Sequence, residues 1–165
     1  MSTPGFNHTV SWSNFRGLRS RPDNETEDAH CSAHFSTDYG YDNAEGDYTM
    51  RNIVVTITMN RHNSWVVNSA KTEALRKHEQ GHFDITAIGA REIHDRMAFI
   101  TGVSAGELAS QKDELIAEVQ VYINDANARY DEETEHGTNV TRQNSWEANI
   151  ARVKGDVNGI ISDLP

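Results

Sequence analysis

The stretch LRKHEQGHFDIT, Leu75 to Thr86, sets two histidines four residues apart with a glutamate directly after the first. Working outward from it, Leu75, His78, His82, Ile85, Gly89, Ile93, Met97 and Ile100 recur at steps of three and four, the period of one helical face. The spacing predicts a long helix from about Ser69 to Ile100, with Gly102 as its C-terminal stop. Both histidines fall on the apolar stripe of that helix, where imidazoles need partners.

The chain on either side differs in texture. Before the helix it is rich in Asn, Asp, Gly, Ser, Thr and aromatics. There NIVVTITMN is the best strand, with Ile53, Val55, Ile57 and Met59 on one face. AHCSAHFSTDYGY is a weaker strand, and DNAEGD between the two suits a hairpin connection. Trp12 and Phe15 in SWSNFRG read as anchors of an irregular N-terminal segment. After the long helix, SAGE (Ser104 to Glu107) carries a capping-box pattern and opens a second helix with Leu108, Leu115, Val119, Tyr122 and Ala126 on one side. A third begins near Asn139, with Trp146, Ile150, Val153, Val157 and Ile160 as its stripe. Strands first and helices second is the order of an α+β fold, here a small antiparallel or mixed N-terminal sheet packed on the long helix and two further C-terminal helices. The 165 residues are expected to form a single domain, 1–165.

Composition narrows the function classes. The net charge is −10 and no Lys/Arg cluster stands out, which argues against a nucleic-acid or anionic-membrane partner. No apolar run is long enough for a transmembrane segment. Cys31 is the only cysteine, so no internal disulfide can form. The opening MSTPGFNHTV has neither a basic n-region nor an apolar h-region, so no signal peptide is expected in it. No heptad seam argues for an oligomer.

The histidine pair carries the chemistry. Positions i and i+4 lie about 40° apart around a helix and about 6 Å along it, so His78 and His82 can reach one ion. Glu79 projects about 80° from their mean direction, within reach of a water on that ion. His-Glu-x-x-His on a helix therefore joins two Zn²⁺ ligands to a general base. Gly81 costs about 1 kcal/mol relative to Ala inside a helix and permits a close approach by another segment. Asp84 projects about 160° from His82 and supports the helix from behind. His94 and Glu92 lie about 18 and 15 Å further along the helix, too far to join. His30 and His34 share a strand face without a recognised ligand spacing. A third ligand is sought in YDEETEHGTN, Tyr130 to Asn139, which an antiparallel second helix returns towards the middle of the first. Spacing leaves His136, Asp131, Glu133 and Glu135 open.

SWSNFRG, HNSWVV, HEQGHFDI, YDEETEHG and QNSWEANI together resemble a bacterial domain-of-unknown-function family described as predicted secreted zinc-dependent proteases, a zincin-like group. The resemblance implies a zincin-like fold and a zinc metallopeptidase acting on peptide or protein substrates. It implies His78, His82 and His136 as the zinc ligands, Glu79 as the catalytic carboxylate and Tyr130 as an oxyanion donor, with Asp131 and Thr134 in support and Phe83 and Asp84 structural. It also implies an extracytoplasmic, periplasmic or secreted, location. In the peptidase reading the strand before the helix offers an edge on which an extended substrate pairs. The competing reading is a zinc module without turnover, which would have no need of Glu79.

Overall fold

A computed structural model describes residues 3–165. Two small sheets precede and flank three helices. One sheet holds β1 (Arg16–Leu18), β5 (Trp65–Val67) and β2 (Ala29–His30) in that spatial order, β1 parallel and β2 antiparallel to β5. The other is built on a long hairpin of β3 (Ala33–Ala44) and β4 (Asp47–Met59), to which β6 (Thr101–Gly102) adds at Tyr48 and Thr49. The helices are α1 (Glu73–Met97), α2 (Ala105–Thr134) and α3 (Val140–Gly155). The α+β class expected from the sequence is observed at this coarse level, but the strands form two sheets rather than one and β6 comes between α1 and α2.

The hairpin follows its residues. Ile53, Val55, Ile57 and Met59 share the inward face of β4, with Val55 and Ile57 fully buried. Glu45 and Gly46 both take positive φ, 55° and 96°. Such a two-residue turn matches the right-handed twist of the strands, and glycine adopts it without penalty. Gly102 does not stop α1. The helix ends at Met97 with Ala98 as its cap, and the chain turns directly into β6, where Gly102 pairs with Tyr48.

The caps are local. Thr72 accepts from Leu75 N–H at the start of α1, and Ser104 accepts from Glu107 N–H at the start of α2. Glu107 reaches back one residue further than a capping box requires, taking Val103 N–H at 2.8 Å. Asn139 caps α3 through Arg142 N–H.

Two glycines of α1 set how closely α2 can lie. A Cβ on Gly81 would overlap the Tyr130 hydroxyl, and one on Gly89 would overlap Ile123. The α2 stripe therefore runs Leu108, Leu115, Val119, Ile123, Ala126, Tyr130, and Tyr122 is 45% exposed rather than inward. The α3 stripe also ends earlier than its periodicity suggests. After Gly155 the chain leaves the helix, Val157 and Ile160 stand exposed, and Ile161 and Leu164 fill the core instead. The buried guanidinium of Arg91 fixes that exit by donating to the carbonyls of Val153, Lys154 and Gly159 at 2.8, 2.9 and 2.6 Å. One apolar cluster runs from Val10 through α1 to Leu164. Among the described residues no helix is long and apolar enough to cross a membrane.

Candidate metal centre

His78 and His82 lie on the face of α1 that meets the C-terminal end of α2. Their Nε2 atoms are 3.2 Å apart. Asp131 Oδ1 completes a triangle, 3.1 Å from His78 Nε2 and 2.9 Å from His82 Nε2. A tetrahedral zinc ion with bonds of about 2.0–2.1 Å places neighbouring donors about 3.3 Å apart, so the three atoms match one face of such a site.

The hydrogen bonds behind the rings decide which nitrogens face inward. Gln143, on α3, donates through Nε2 to Tyr130 Oη at 2.7 Å and to the Glu147 carboxylate at 3.0 Å. Its Oε1 must therefore be the atom 3.2 Å from His78 Nδ1, and that nitrogen carries the proton. Asn127 donates through Nδ2 to Ile123 O, which leaves its Oδ1 to accept from His82 Nδ1 at 2.8 Å. Both imidazoles are thus set with Nδ1–H outward and an Nε2 lone pair inward. Two lone pairs and a carboxylate oxygen within 3.2 Å of each other repel unless a cation lies among them. These residues fit a divalent metal ion.

Without an ion, a proton has to serve. His82 is pushed up to about 9: burial works against its charge, but the hydrogen bond and charge of Asp131, with Glu79 and Asn127, outweigh it. His78 is held below its ordinary value, chiefly by burial. Burial also raises Asp131, yet the hydrogen bonds and charges of the two histidines bring its carboxyl well below the usual range.

His136 sits one step further out. Its Nδ1 is 3.6 Å from Asp131 Oδ1 and 3.6 Å from Glu27 Oε1, and it is half exposed. His78, Asp131 and His136 offer ligand atoms all within 4.8 Å of one another. Of the four candidates left open by spacing, Asp131 and His136 reach the centre. Glu133 instead accepts from Trp146 Nε1 and Glu135 from Asn139 Nδ2. Asp131 thus takes a more central place than the supporting one expected of it.

The turn carrying His136 is sharply wound. Glu135, His136 and Gly137 have φ of 51°, 52° and 80°. Thr134 holds it, donating to Tyr130 O and accepting from Gly137 N–H. Gly137 lies against the His78 side chain, where a Cβ would meet Cβ and Cγ at 2.9 Å.

Glu79 is 2% exposed, and its Oε2 has no hydrogen-bond partner among the described residues. Burial pushes its pKa up to about 7, with His82 and the Cys31 main-chain N–H pulling down and Glu27 and Asp131 pushing up. A carboxyl poised there takes and returns protons near neutrality.

Tyr130 occupies a different place from an oxyanion donor. Its ring stacks on His78 with centroids 4.6 Å apart, and its hydroxyl donates to His78 O while accepting from Gln143. Fully buried, it braces the ligand helix. Asp84 lies on the far side of α1, bonded to Lys154 at 2.6 Å. His34 bonds Thr58, and His30, separated from it by the break between β2 and β3, stacks on Trp65. Gln143 heads the QNSWEANI block but nothing in the sequence gave it a role, and Asn127 carried no signal beyond its i, i+4 alignment with Ile123 and Asp131 on α2.

Two clefts meet at the centre and share Glu27. One, of about 460 Å³, is bounded by His82, Asn127, Asp131 and the Ala33–Phe35 start of β3. The other, of about 620 Å³, is bounded by His78, Glu79, His136 and Leu75. The strand beside the centre is therefore β3 rather than β4, which lies behind it in the sheet.

Fold and site together define an α+β protein with a helix-borne His/Asp donor cluster and a buried carboxyl beside it. The chain belongs to the bacterial family of unknown function DUF922, described as "Bacterial protein of unknown function (DUF922)", which it matches over residues 9–137. That span contains His78, Glu79, His82, Asp131 and His136, while Gln143 lies beyond it. No curated protein and no solved structure matches the chain.

Proposed function

We propose that the protein is a zinc-dependent peptidase with a zincin-like arrangement. The observation that carries this reading is the triangle of His78 Nε2, His82 Nε2 and Asp131 Oδ1, all three acceptors turned inward, with Glu79 buried beside them and its Oε2 unpaired. Zinc bound there would act as a Lewis acid towards a carbonyl oxygen and would acidify a water. Glu79, near pKa 7, takes a proton from the attacking water and returns it to the departing amine. Asn127 and Gln143 hold the two imidazoles in register. Tyr130 fixes the main chain of His78. The two clefts give an extended peptide room on both sides of the centre, with β3 alongside.

A second reading has one observation in its favour. His136 is close enough to the cluster to serve as a fourth protein ligand, which would close the coordination and make the zinc structural.

Elemental analysis beside a quenched-peptide or casein cleavage assay separates the two. The peptidase reading expects about one zinc per chain in wild type and in Glu79→Gln, with cleavage by Glu79→Gln lower by about 10²–10⁴-fold. A wild type that holds zinc, cleaves nothing and is as stable as Glu79→Gln would establish the structural site. A chain that takes up no zinc would overturn both.

A further inference from the structure

We infer that the larger cleft, between Glu27 and the Glu135–Gly137 turn, is a subsite for a cationic side chain, so that the substrate is a peptide with Lys or Arg beside the bond that is cut. This rests on the peptidase reading for what is cut, and on the cleft itself for what is recognised.

The cleft is about 620 Å³, enough for a long side chain and its backbone. Its walls are aliphatic along Ala70, Ala74, Leu75 and Val140, the surface that the methylene stem of Lys or Arg covers. Its charge is one-sided. Glu27, Asp28, Glu79 and Glu135 line it against a single guanidinium, Arg21, which Asp28 already holds at 2.7 Å. Among the described residues no Lys or Arg pairs with Glu27. Its carboxylate has only His136 Nδ1, at 3.6 Å, which is beyond hydrogen-bonding distance. Glu79 adds a second mark that points to a ligand: it lines the same cleft with an Oε2 that is buried and unpartnered.

Position ties the subsite to the centre. Glu27 also lines the other cleft, so it stands where the two meet, next to Asp131 and His136. A side chain reaching Glu27 therefore belongs to a residue adjoining the reacting bond. An acidic side chain there would face Glu27 and Glu135 together, which makes exclusion of acidic peptides as strong a consequence as acceptance of basic ones. The net charge of −10 draws cationic peptides in at longer range.

The test is a quenched-peptide library varied at the positions flanking one bond, read on zinc-loaded wild type, Glu27→Gln and Glu27→Lys. Wild type should cut Lys and Arg peptides at least about tenfold better than Leu peptides and scarcely cut Glu peptides. Glu27→Gln should lose most of that ratio, Glu27→Lys should invert it towards acidic peptides, and all three should hold equal zinc. Cleavage without a basic preference, or a preference that survives Glu27→Lys, would overturn the subsite and leave the peptidase standing. Binding of the same peptides to Glu79→Gln protein, followed by fluorescence anisotropy, tests the subsite even where nothing is cut. Tighter binding of Lys peptides that Glu27→Lys abolishes supports it, and equal binding of Lys, Leu and Glu peptides sinks it.

Discussion

At the scale of single residues, Asn127 and Gln143 decide what His78 and His82 can do. Each amide spends its N–H elsewhere, so each carbonyl oxygen faces an Nδ1–H and leaves Nε2 free. Removing either partner releases a tautomer and a ring orientation without touching a donor atom. Asn127→Ala and Gln143→Ala should each weaken zinc binding by about 10–100-fold in chelator competition, with the far-ultraviolet circular dichroism unchanged. Unchanged affinity would mean the rings are held by packing alone. Asp131 and His136 make the complementary pair. Asp131 Oδ1 touches both Nε2 atoms, whereas His136 stands 3.6 Å beyond it, so Asp131→Ala should lower zinc affinity further than His136→Ala. The reverse order would put His136 in the inner set and Asp131 behind it. The sequence made half of this legible. An i, i+4 pair on an apolar stripe announces itself through helical geometry alone. The third donor lies 49 residues after His82 in a run that contains three other carboxylates and a histidine, and choosing among them requires knowing how α2 is rotated.

That rotation is set between elements, by Gly81 and Gly89. They make two notches on α1 that receive Tyr130 and Ile123 of α2, and the match fixes which α2 residues face the centre. Periodicity alone allows Tyr122 or Ile123 after Val119, because steps of three and four are both helical, and only the Gly89 notch selects Ile123. The α3 stripe overran for a related reason: Val157 and Ile160 continue the spacing, but Arg91 captures the carbonyls at the helix end and turns the chain away. A side chain reaching from another helix leaves no mark in the local pattern. Gly81→Ala should therefore destabilise the protein by about 1–3 kcal/mol through overpacking against Tyr130, against the gain of about 1 kcal/mol that alanine offers in an unpacked helix. Denaturant unfolding checks the sign; a more stable variant would mean that α2 slides away at no cost. Tyr130→Phe separates bracing from catalysis. It removes the bonds to His78 O and Gln143, so stability should fall by about 1–2 kcal/mol while kcat per bound zinc changes little. An oxyanion donor would instead lose about 10²–10³ in kcat at unchanged stability.

For the molecule as a whole, the centre is a set of groups whose protonation folding has displaced, and metal binding should reset them. In the metal-free protein His82 is raised to about 9, so the stability it lends is whole below about 6.5 and lost as the pH climbs through 9. Glu79, raised to about 7 by burial, works in the same sense: its neutral form suits the buried site, and the fold is penalised as pH rises from about 4.3 through 7. His78, held below its ordinary value, opposes them only below about 6.5. Asp131 lends stability that is whole above about 3.9 and is lost in stronger acid. Metal-free protein should therefore lose stability between about pH 6.5 and 9. Zinc takes the lone pair that the His82 proton would occupy, so its stabilising effect should grow over that same interval. Zinc at about a hundred times its Kd adds about 2.7 kcal/mol, or roughly 6–10 °C in Tm for a chain of this length. Paired melting curves in zinc and in chelator, from pH 6 to 9, should show the gap widening with pH. A gap that stays flat or narrows would mean that no proton leaves His82 when zinc arrives, and would remove His82 from the ligand set.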